Sequence, residues 1–373
     1  VTIGIHDGAA ADSGGVAVYT DTDRDNLRIS LLAASAGGMS VVIRDKSTAH
    51  HMAKVLGSNN QTPIVVDPGR WRHQDASPQR PIGINADGLT DLNLRTWGHN
   101  YVSAAGISAV LTPSLFVPSQ EWETLQALTD TIGNALDVGD PIIGLIATDA
   151  AMLDVNNITA FLELLEPIRH LRLGFVFGGD REALAYRDRL TGLRTLLEEH
   201  TGAWLIGIDG LVATEALCAG AGLVGVGVRP GMRWPAVPGK KSNGGGGAKD
   251  FVPGLFNRDL MEYRSPPVYA DWYFDTISTA CAICGRHPEK YNASPMDKQA
   301  IAEHNVHGVA ELCRNLLSVP VETRDEWIRM ERVEAATNHR GLYKLGTKVV
   351  LDKTLQALIQ RDIPGWYLAL EEV

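Results

Sequence analysis

Three aspartates close short apolar runs in this chain. Ile64-Val65-Val66 runs into Asp67, Gly144 to Ala147 passes through Thr148 to Asp149, and Leu205 to Ile208 ends at Asp209. If these runs are parallel strands of one sheet, their C-terminal tips share a rim. Carboxylates there can serve one pocket as acid, base or nucleophile. An aspartate after a strand is equally suited to cap a helix, and Asp149 fits that role best of the three. Gly178-Gly179 ends a fourth run, Leu171–Phe177. Two glycines let a backbone approach a planar ligand and leave N–H groups free to bind it. Gly225 and Gly227 interrupt a fifth run, where glycine weakens a strand unless a neighbouring strand or a ligand must come close.

A second group has metal-ligand chemistry. Cys281 and Cys284 form a C-x-x-C pair, and His304 follows about twenty residues later with His307 just beyond. Two thiolates and an imidazole suit a structural Zn2+ site, which needs four ligands. His287, His307, Cys313 or a carboxylate such as Asp275 could each complete it. A buried thiol pair is the plainer alternative. A redox pair fits less well, because no strand leads into a helix beginning at Cys281. Between the two groups, Arg229, Arg233, Lys240, Lys241 and Lys249 occur with no acid until Asp250. Five cations in sequence attract phosphate, unless they are simply a solvated basic loop.

Something must position these residues. The runs Ile29–Ala34, Thr62–Val66, Ile107–Leu111, Pro141–Ala147, Leu171–Phe177, Ala203–Ile208 and Leu223–Val228 are continuously apolar, the pattern of strands buried on both faces. Helix-period segments lie between them: Asp180 is placed to cap Arg181–His200, Asn157 to cap the segment from Ile158, and Thr214–Ala219 makes a short helix. The alternation predicts a (β/α)8 barrel with one strand unplaced. An open doubly wound sheet is the structural rival, but no dinucleotide fingerprint opens the first βα unit. The expected division is an N-terminal β-hairpin over residues 1–27, the barrel over 28–234, a mobile Gly/Lys loop over 235–250, and a zinc-binding, helical region over 251–373.

Composition narrows the function. The chain has 373 residues, 45% hydrophobic and 21% charged, as in globular proteins. Thirty-four basic against 44 acidic residues give a net charge of -10, so the whole surface is not a cationic grip on nucleic acid, although a local patch can be. No run is long enough to span a membrane, and Val1 to Gly15 lacks the pattern of a signal peptide, so a cytoplasmic location is expected.

Together these stretches resemble the tRNA-guanine transglycosylase family and its paralogues that act on DNA. The resemblance spans roughly residues 30–315. It is carried by Cys281-Ala-Ile-Cys284, by Ala302-Glu303-His304-Asn305-Val306-His307, by Phe175-Val-Phe-Gly178-Gly179, by Trp204 to Asp209, and by Ala219 to Arg233. It implies a barrel with a zinc-binding helical subdomain that exchanges a guanine in tRNA or DNA for a 7-deazaguanine-type base. Subunits pairing through the zinc module are also implied.

Three departures stand out. Thr279 occupies the place of the family's first cysteine. Asp12-Ser13-Gly14 matches the letters of the family's acid/base motif but precedes any barrel strand, whereas Asp67-Pro68-Gly69 has the better position. The family's nucleophilic aspartate aligns with Gly225.

The resemblance implies cleavage of an N-glycosidic bond, which needs a carboxylate below the sugar and a second acid for the base. The target nucleotide must also leave its stack. The expectation is Asp209 as nucleophile and Asp67 as acid/base, with Gly178 and Gly179 recognising the base alongside Asp149, Gly225 and Gly227. Arg229, Arg233, Lys240 and Lys241 hold the backbone, and Cys281, Cys284 and His304 bind zinc. Three rivals remain: a catalytically silent relative that binds nucleic acid within a modification or defence complex, a metabolic barrel enzyme gripping a small phosphorylated compound, and a redox protein using the cysteine pair.

Overall fold

In the computed structural model the described residues are 15–45, 49–56, 62–83, 93–240, 254–292, 297–344, 349 and 351–364. Eight parallel strands close into a barrel in chain order: β1 (Val16–Asp21), β2 (Ser40–Arg44), β3 (Ile64–Asp67), β4 (Ala109–Leu111), β5 (Ile142–Asp149), β6 (Leu173–Gly178), β7 (Trp204–Ile208) and β8 (Leu223–Gly227), which pairs back onto β1. β2, β3, β4, β6 and β8 are buried at every position, as strands covered inside and outside must be. The expected (β/α)8 barrel is the fold.

The first strands differ from expectation. Val16–Asp21 is not half of a hairpin but the first barrel strand, parallel to both β2 and β8, so the barrel starts before residue 28. The other half of the expected hairpin, with Asp12-Ser13-Gly14, lies outside the described residues. Ile29–Ala34 is not a strand; it belongs to α1 (Arg24–Gly37). The Asp23 side chain accepts the Asn26 N–H at the start of that helix, and Gly38 ends it at φ 64°, a conformation glycine adopts without strain. Ser40–Arg44 is a strand the hydropathy pattern does not announce.

Helices α2 (Ala49–Leu56), α3 (Leu94–Ala105), α4 (Trp122–Ala135), α5 (Ile158–Leu165), α6 (Arg187–Glu199) and α7 (Gly210–Cys218) follow the strands in turn, and α8 (Pro230–Arg233) is a single turn after β8. Asp180 does not cap α6, which begins after Tyr186. Asn157 precedes α5, but its side chain bonds Gln120 and the Ala151 carbonyl instead of capping.

The C-terminal region contains an antiparallel pair, β9 (Leu255–Asn257) and β10 (Glu262–Arg264), followed by α9 (Pro266–Trp272), α10 (Lys298–Ser318), α11 (Arg324–Lys344) and α12 (Lys353–Asp362). It is not independent of the barrel. α10 packs on α1 and α7 and takes the place of the eighth barrel helix, which α8 is too short to fill. Its Val306, Val309, Leu312 and Leu316 join the barrel's apolar core, while Leu255, Tyr269, Trp272, Tyr291 and Ile301 form a smaller one. Glu215 on α7, fully buried, accepts from Arg332 of α11 at 2.8 Å and from Arg361 of α12. These pairs fasten the last helices to the barrel wall. From residue 241 the expected Gly/Lys loop lies outside the described residues. Among the described residues no helix is long and apolar enough to cross a membrane.

Candidate functional site

Register sets the chemistry of the barrel mouth. Asp21, Arg44 and Asp67 are paired across β1, β2 and β3, so their side chains leave the sheet on one face. Tyr19, two residues before Asp21, points the same way and is fully buried. Its hydroxyl donates to Asp67 Oδ2 at 2.7 Å. Its ring lies 3.6 Å from where a Cβ on Gly207 would stand, on β7. Asp67 and Asp209 therefore share the C-terminal rim, with a tyrosine between the strands that carry them.

Asp67 has no exposed surface. Besides Tyr19, its Oδ2 accepts from Trp71 Nε1 at 3.2 Å, and its Oδ1 accepts the Gly69 N–H at 2.7 Å. Gly69 makes this turn at φ +61°, and a Cβ there would meet Arg44 Cγ at 2.8 Å. Burial first, and then the charge of Asp67, push the Tyr19 phenol well above its ordinary value, so it is a permanent donor. This carboxylate is a structural staple in the conformation described.

Arg44 is in the opposite condition. It is 8% exposed and lies 5.7 Å from the Tyr19 ring centroid, and its nearest carboxylate oxygen, on Asp21, is 4.0 Å away. Its Nη1 is buried with no hydrogen-bond partner. Arg72, on the short turn Arg70-Trp71-Arg72 after β3, lies close by. Burial, and next the Arg44 charge, lower its pKa. Two guanidiniums together in a mouth, one with an unused donor, are suited to a phosphate or another anion. The strand-tip aspartates did not point to this pair. The run Arg70-Trp71-Arg72-His73 was visible in the sequence, but Arg44 gains its meaning only from its register beside Asp67.

Asp209 caps α7. Its Oδ1 accepts the Leu211 and Val212 N–H groups at 2.9 Å each, and Oδ2 accepts Trp234 Nε1 at 3.4 Å. Burial first, and then the Asp352 carboxylate, raise its pKa to about 6, against the pull of those N–H groups and Arg233. It lines a cleft with Phe177, Arg233 and Trp234 whose free volume is about 10 Å³. That is room for about one water at most, not a purine.

The other expected binding residues are engaged in packing. A Cβ on Gly178 would meet the Phe116 ring at 2.7 Å, and Gly179 donates its N–H to the Pro235 carbonyl at 3.0 Å, so the Gly-Gly is covered from both sides. Gly227 leaves space for the α8 backbone, where a Cβ would be 2.3 Å from Met232 C, and Gly225 lies against Ile206. Asp149 accepts the Ala151 N–H at 2.8 Å as a cap. Arg233 is 2% exposed, stacked 4.0 Å from the Tyr263 ring centroid, so it cannot hold an external backbone. Arg229 and Lys240 are exposed and pair with Asp23 and Asp180 at 3.5 Å each. Lys241 lies outside the described residues.

The cysteine end does assemble. The ligand atoms of Cys281, Cys284 and His304 all lie within 4.8 Å of one another, a cluster that could hold a metal ion. Cys284 Sγ is 3.4 Å from His304 Nδ1 and 3.5 Å from the Tyr291 hydroxyl, and His304 Nε2 contacts the Phe256 carbonyl oxygen at 2.8 Å. The carbonyl turns Nδ1 toward the sulfurs, the second-shell arrangement common to metal-bound histidines. Hydrogen bonding from Cys281, and after it from His304, His307 and Tyr291, holds the Cys284 thiol well below its usual value despite desolvation. Cys281 and His304 also face a polar cleft of about 300 Å³ together with Thr279, Glu311 and Glu334.

No protein-family model matches the chain, and no curated protein matches it.

Proposed function

We propose that the protein is a transglycosylase-like barrel that binds tRNA or DNA at its C-terminal mouth without exchanging a base, as a subunit of a modification or defence assembly. One observation carries this reading. Within a single mouth the Asp67 carboxylate is engaged on both oxygens by three donors, while the Arg44 Nη1 has no partner. Acid/base and nucleophilic work require a carboxylate free to reach the sugar or base, whereas holding a phosphodiester requires a free cation. Arg72 and, once the mouth opens enough to expose its buried Nη1, Arg44 supply the inner contact. The exposed Arg229, Lys240 and Arg181, the last stacked 4.8 Å from the Trp234 ring centroid, supply the outer one by exchanging their Asp23, Asp180 and Glu182 partners for phosphate. Zn2+ held by Cys281, Cys284 and His304 would tie their loop to α10, a structural role beside the barrel rather than in the mouth.

The test is binding and exchange measured side by side. Fluorescence anisotropy with tRNA and with duplex DNA should show affinity that falls steeply with salt, and incubation with labelled guanine or a 7-deazaguanine should show no incorporation. Incorporation above background, or no binding at low salt, would refute the proposal. Competition by a small phosphomonoester alone would favour the metabolic-enzyme reading.

A second reading, an active transglycosylase, is favoured by Asp209. A buried carboxyl with a pKa of about 6 is what proton transfer near neutrality requires. That reading needs the cleft beside Asp209 to open, and it predicts exchange that Asp209→Asn abolishes.

A further inference from the structure

A tetrahedral ion on Cys281, Cys284 and His304 is one ligand short. Of the groups that could complete it, Cys313 is fully buried in the barrel core, and burial, followed by Cys218, pushes its thiol up to about 12. Asp275 is exposed. His287 is only half-buried, holds Nδ1 on the Ser278 carbonyl at 2.6 Å, and is not among the groups that hydrogen-bond Cys284. Thr279 faces the polar cleft, and a neutral hydroxyl is a poor zinc ligand beside thiolates. His307 differs from all four. It follows His304 by one turn on α10, so the two imidazoles share a helix face. It is 4% exposed, and its Nδ1 has no hydrogen-bond partner, a costly condition for a buried polar group. Its ring lies beside Cys284, outside the 4.8 Å cluster of the other three ligand atoms, so ligation requires the imidazole to turn inward on α10.

We infer that His307 is the fourth ligand, closing a Cys281, Cys284, His304, His307 centre in place of the three-cysteine, one-histidine set that the family resemblance implies. The inference rests on the metal reading above. Charge supports it. Two thiolates and two neutral imidazoles around a divalent ion sum to zero, so the buried centre needs no counter-cation. His307 takes up the coordination position that Thr279 cannot fill, and it does so from the helix side. The ion is then closed, and the 300 Å³ cleft beside Cys281 and His304 holds no open coordination site.

The experiment uses the full chain purified with zinc. Metal content is measured in the wild type, in His307→Ala and in His307→Cys, affinity by competition with a chromophoric chelator, and the ligand set by cobalt(II) substitution. The wild type should hold about one zinc per chain. His307→Ala should weaken binding by more than about 100-fold, beyond the 10–100-fold typical of losing a second-shell partner. His307→Cys should restore retention, and its thiolate-to-cobalt absorption should rise by about half, as three sulfurs replace two. Restored binding in the cysteine variant separates ligand loss from misfolding. If the wild type binds its ion but His307→Ala stays within about 10-fold of it, the ligand assignment falls alone. The same holds if azide shifts the wild-type cobalt spectrum, which would show an open position. A wild type that holds no metal overturns the metal reading, and this assignment with it.

Discussion

Replacing Asp209 by asparagine should stabilise the protein at neutral pH, and by an amount the structure bounds. Burial raises the folded carboxyl to about 6 from its ordinary value of 3.8. That difference of roughly 2 units corresponds to about 3 kcal/mol at about 1.4 kcal/mol per unit. The sign follows from linkage. A pKa raised on folding gives stability that is full below pH ~4 and lost as pH rises through ~6, so at pH 7.5 the wild type lacks all of it. Asparagine never ionises. Its amide oxygen can still accept the Leu211 and Val212 N–H groups, and asparagine caps as well as aspartate. The 3.4 Å bond from Trp234 is lost and the new amide NH2 faces that indole donor in a buried site, which takes about 1 kcal/mol from the variant at every pH. The expected gain is about 1–2 kcal/mol at pH 7.5, becoming a loss of about 1 kcal/mol near pH 4. Urea unfolding of both proteins at pH 4.5, 6.0 and 7.5, with zinc present, measures it. Stability curves that run parallel across that range, or a variant weaker at pH 7.5, would refute the assignment of Asp209 as a buried cap held charged at a cost.

Three further outcomes follow from the same geometry. Glu215→Gln should destabilise the fold by about 1–3 kcal/mol, because the buried Arg332 keeps the Asp362 carboxylate at 2.7 Å but loses the charge of its other partner. In the wild type the Glu215 contribution, present above about pH 4.5, should fade as pH falls toward its folded value of about 2, where burial is outweighed by Arg332 and Arg361; acid titration followed by circular dichroism checks both. Gly227→Ala should cost about 1–3 kcal/mol or more by driving a methyl into the α8 backbone, while Gly225→Ala, with a nearest contact of 3.2 Å on a side chain, should be milder, as thermal melts of the pair will show. Arg44→Met should weaken nucleic-acid binding and reduce the slope of log affinity against log salt by about one, whereas Asp67→Asn should leave that slope unchanged.

The barrel was legible from its continuously apolar runs, because strands buried on both faces leave that trace wherever they are bounded by turn residues. It failed where length could not separate strand from helix. Ile29–Ala34 has the composition of a buried strand, yet the Asp23 cap and the Gly38 stop place it inside a helix. Ser40–Arg44 is only five residues long and ends in an arginine, so it offers almost no apolar run to detect. Among the site residues, the C-x-x-C pair and His304 were readable because their spacing is local, and a cluster is what the fold makes of them. The strand-tip aspartates do reach one rim, but whether a rim carboxylate is free or saturated depends on its neighbours. Tyr19, 48 residues from Asp67 in sequence, could not be assigned to it without the register of β1 through β3.

The same register bears on why β8 carries no carboxylate. Gly225 and Gly227 are paired with Ala17 and Tyr19 of β1, so side chains at these two positions would face the interior as Tyr19 does. Neither position has room for one. At 227 a Cβ would lie 2.3 Å from Met232 C and 2.4 Å from the Arg233 nitrogen, both backbone atoms, and at 225 it would press on Ile206 at 3.2 Å. Backbone cannot rotate aside as a side chain can, so an aspartate at 227 would require α8 to be rebuilt, and one at 225 would have to displace a fully buried isoleucine. Gly227 is therefore needed for the way α8 folds back onto β8, whereas Gly225 makes room for Ile206 of β7, and the α8 turn also brings Arg233 onto Tyr263 and Pro235 over Gly179. The α8 turn that covers Gly179 thus also excludes a side chain at 227, while at 225 the obstacle is Ile206. On the proposed reading, Gly225→Asp alone should not confer base exchange, because the added carboxylate would press on Ile206 and the Gly178-Gly179 backbone would stay covered by Phe116 and Pro235.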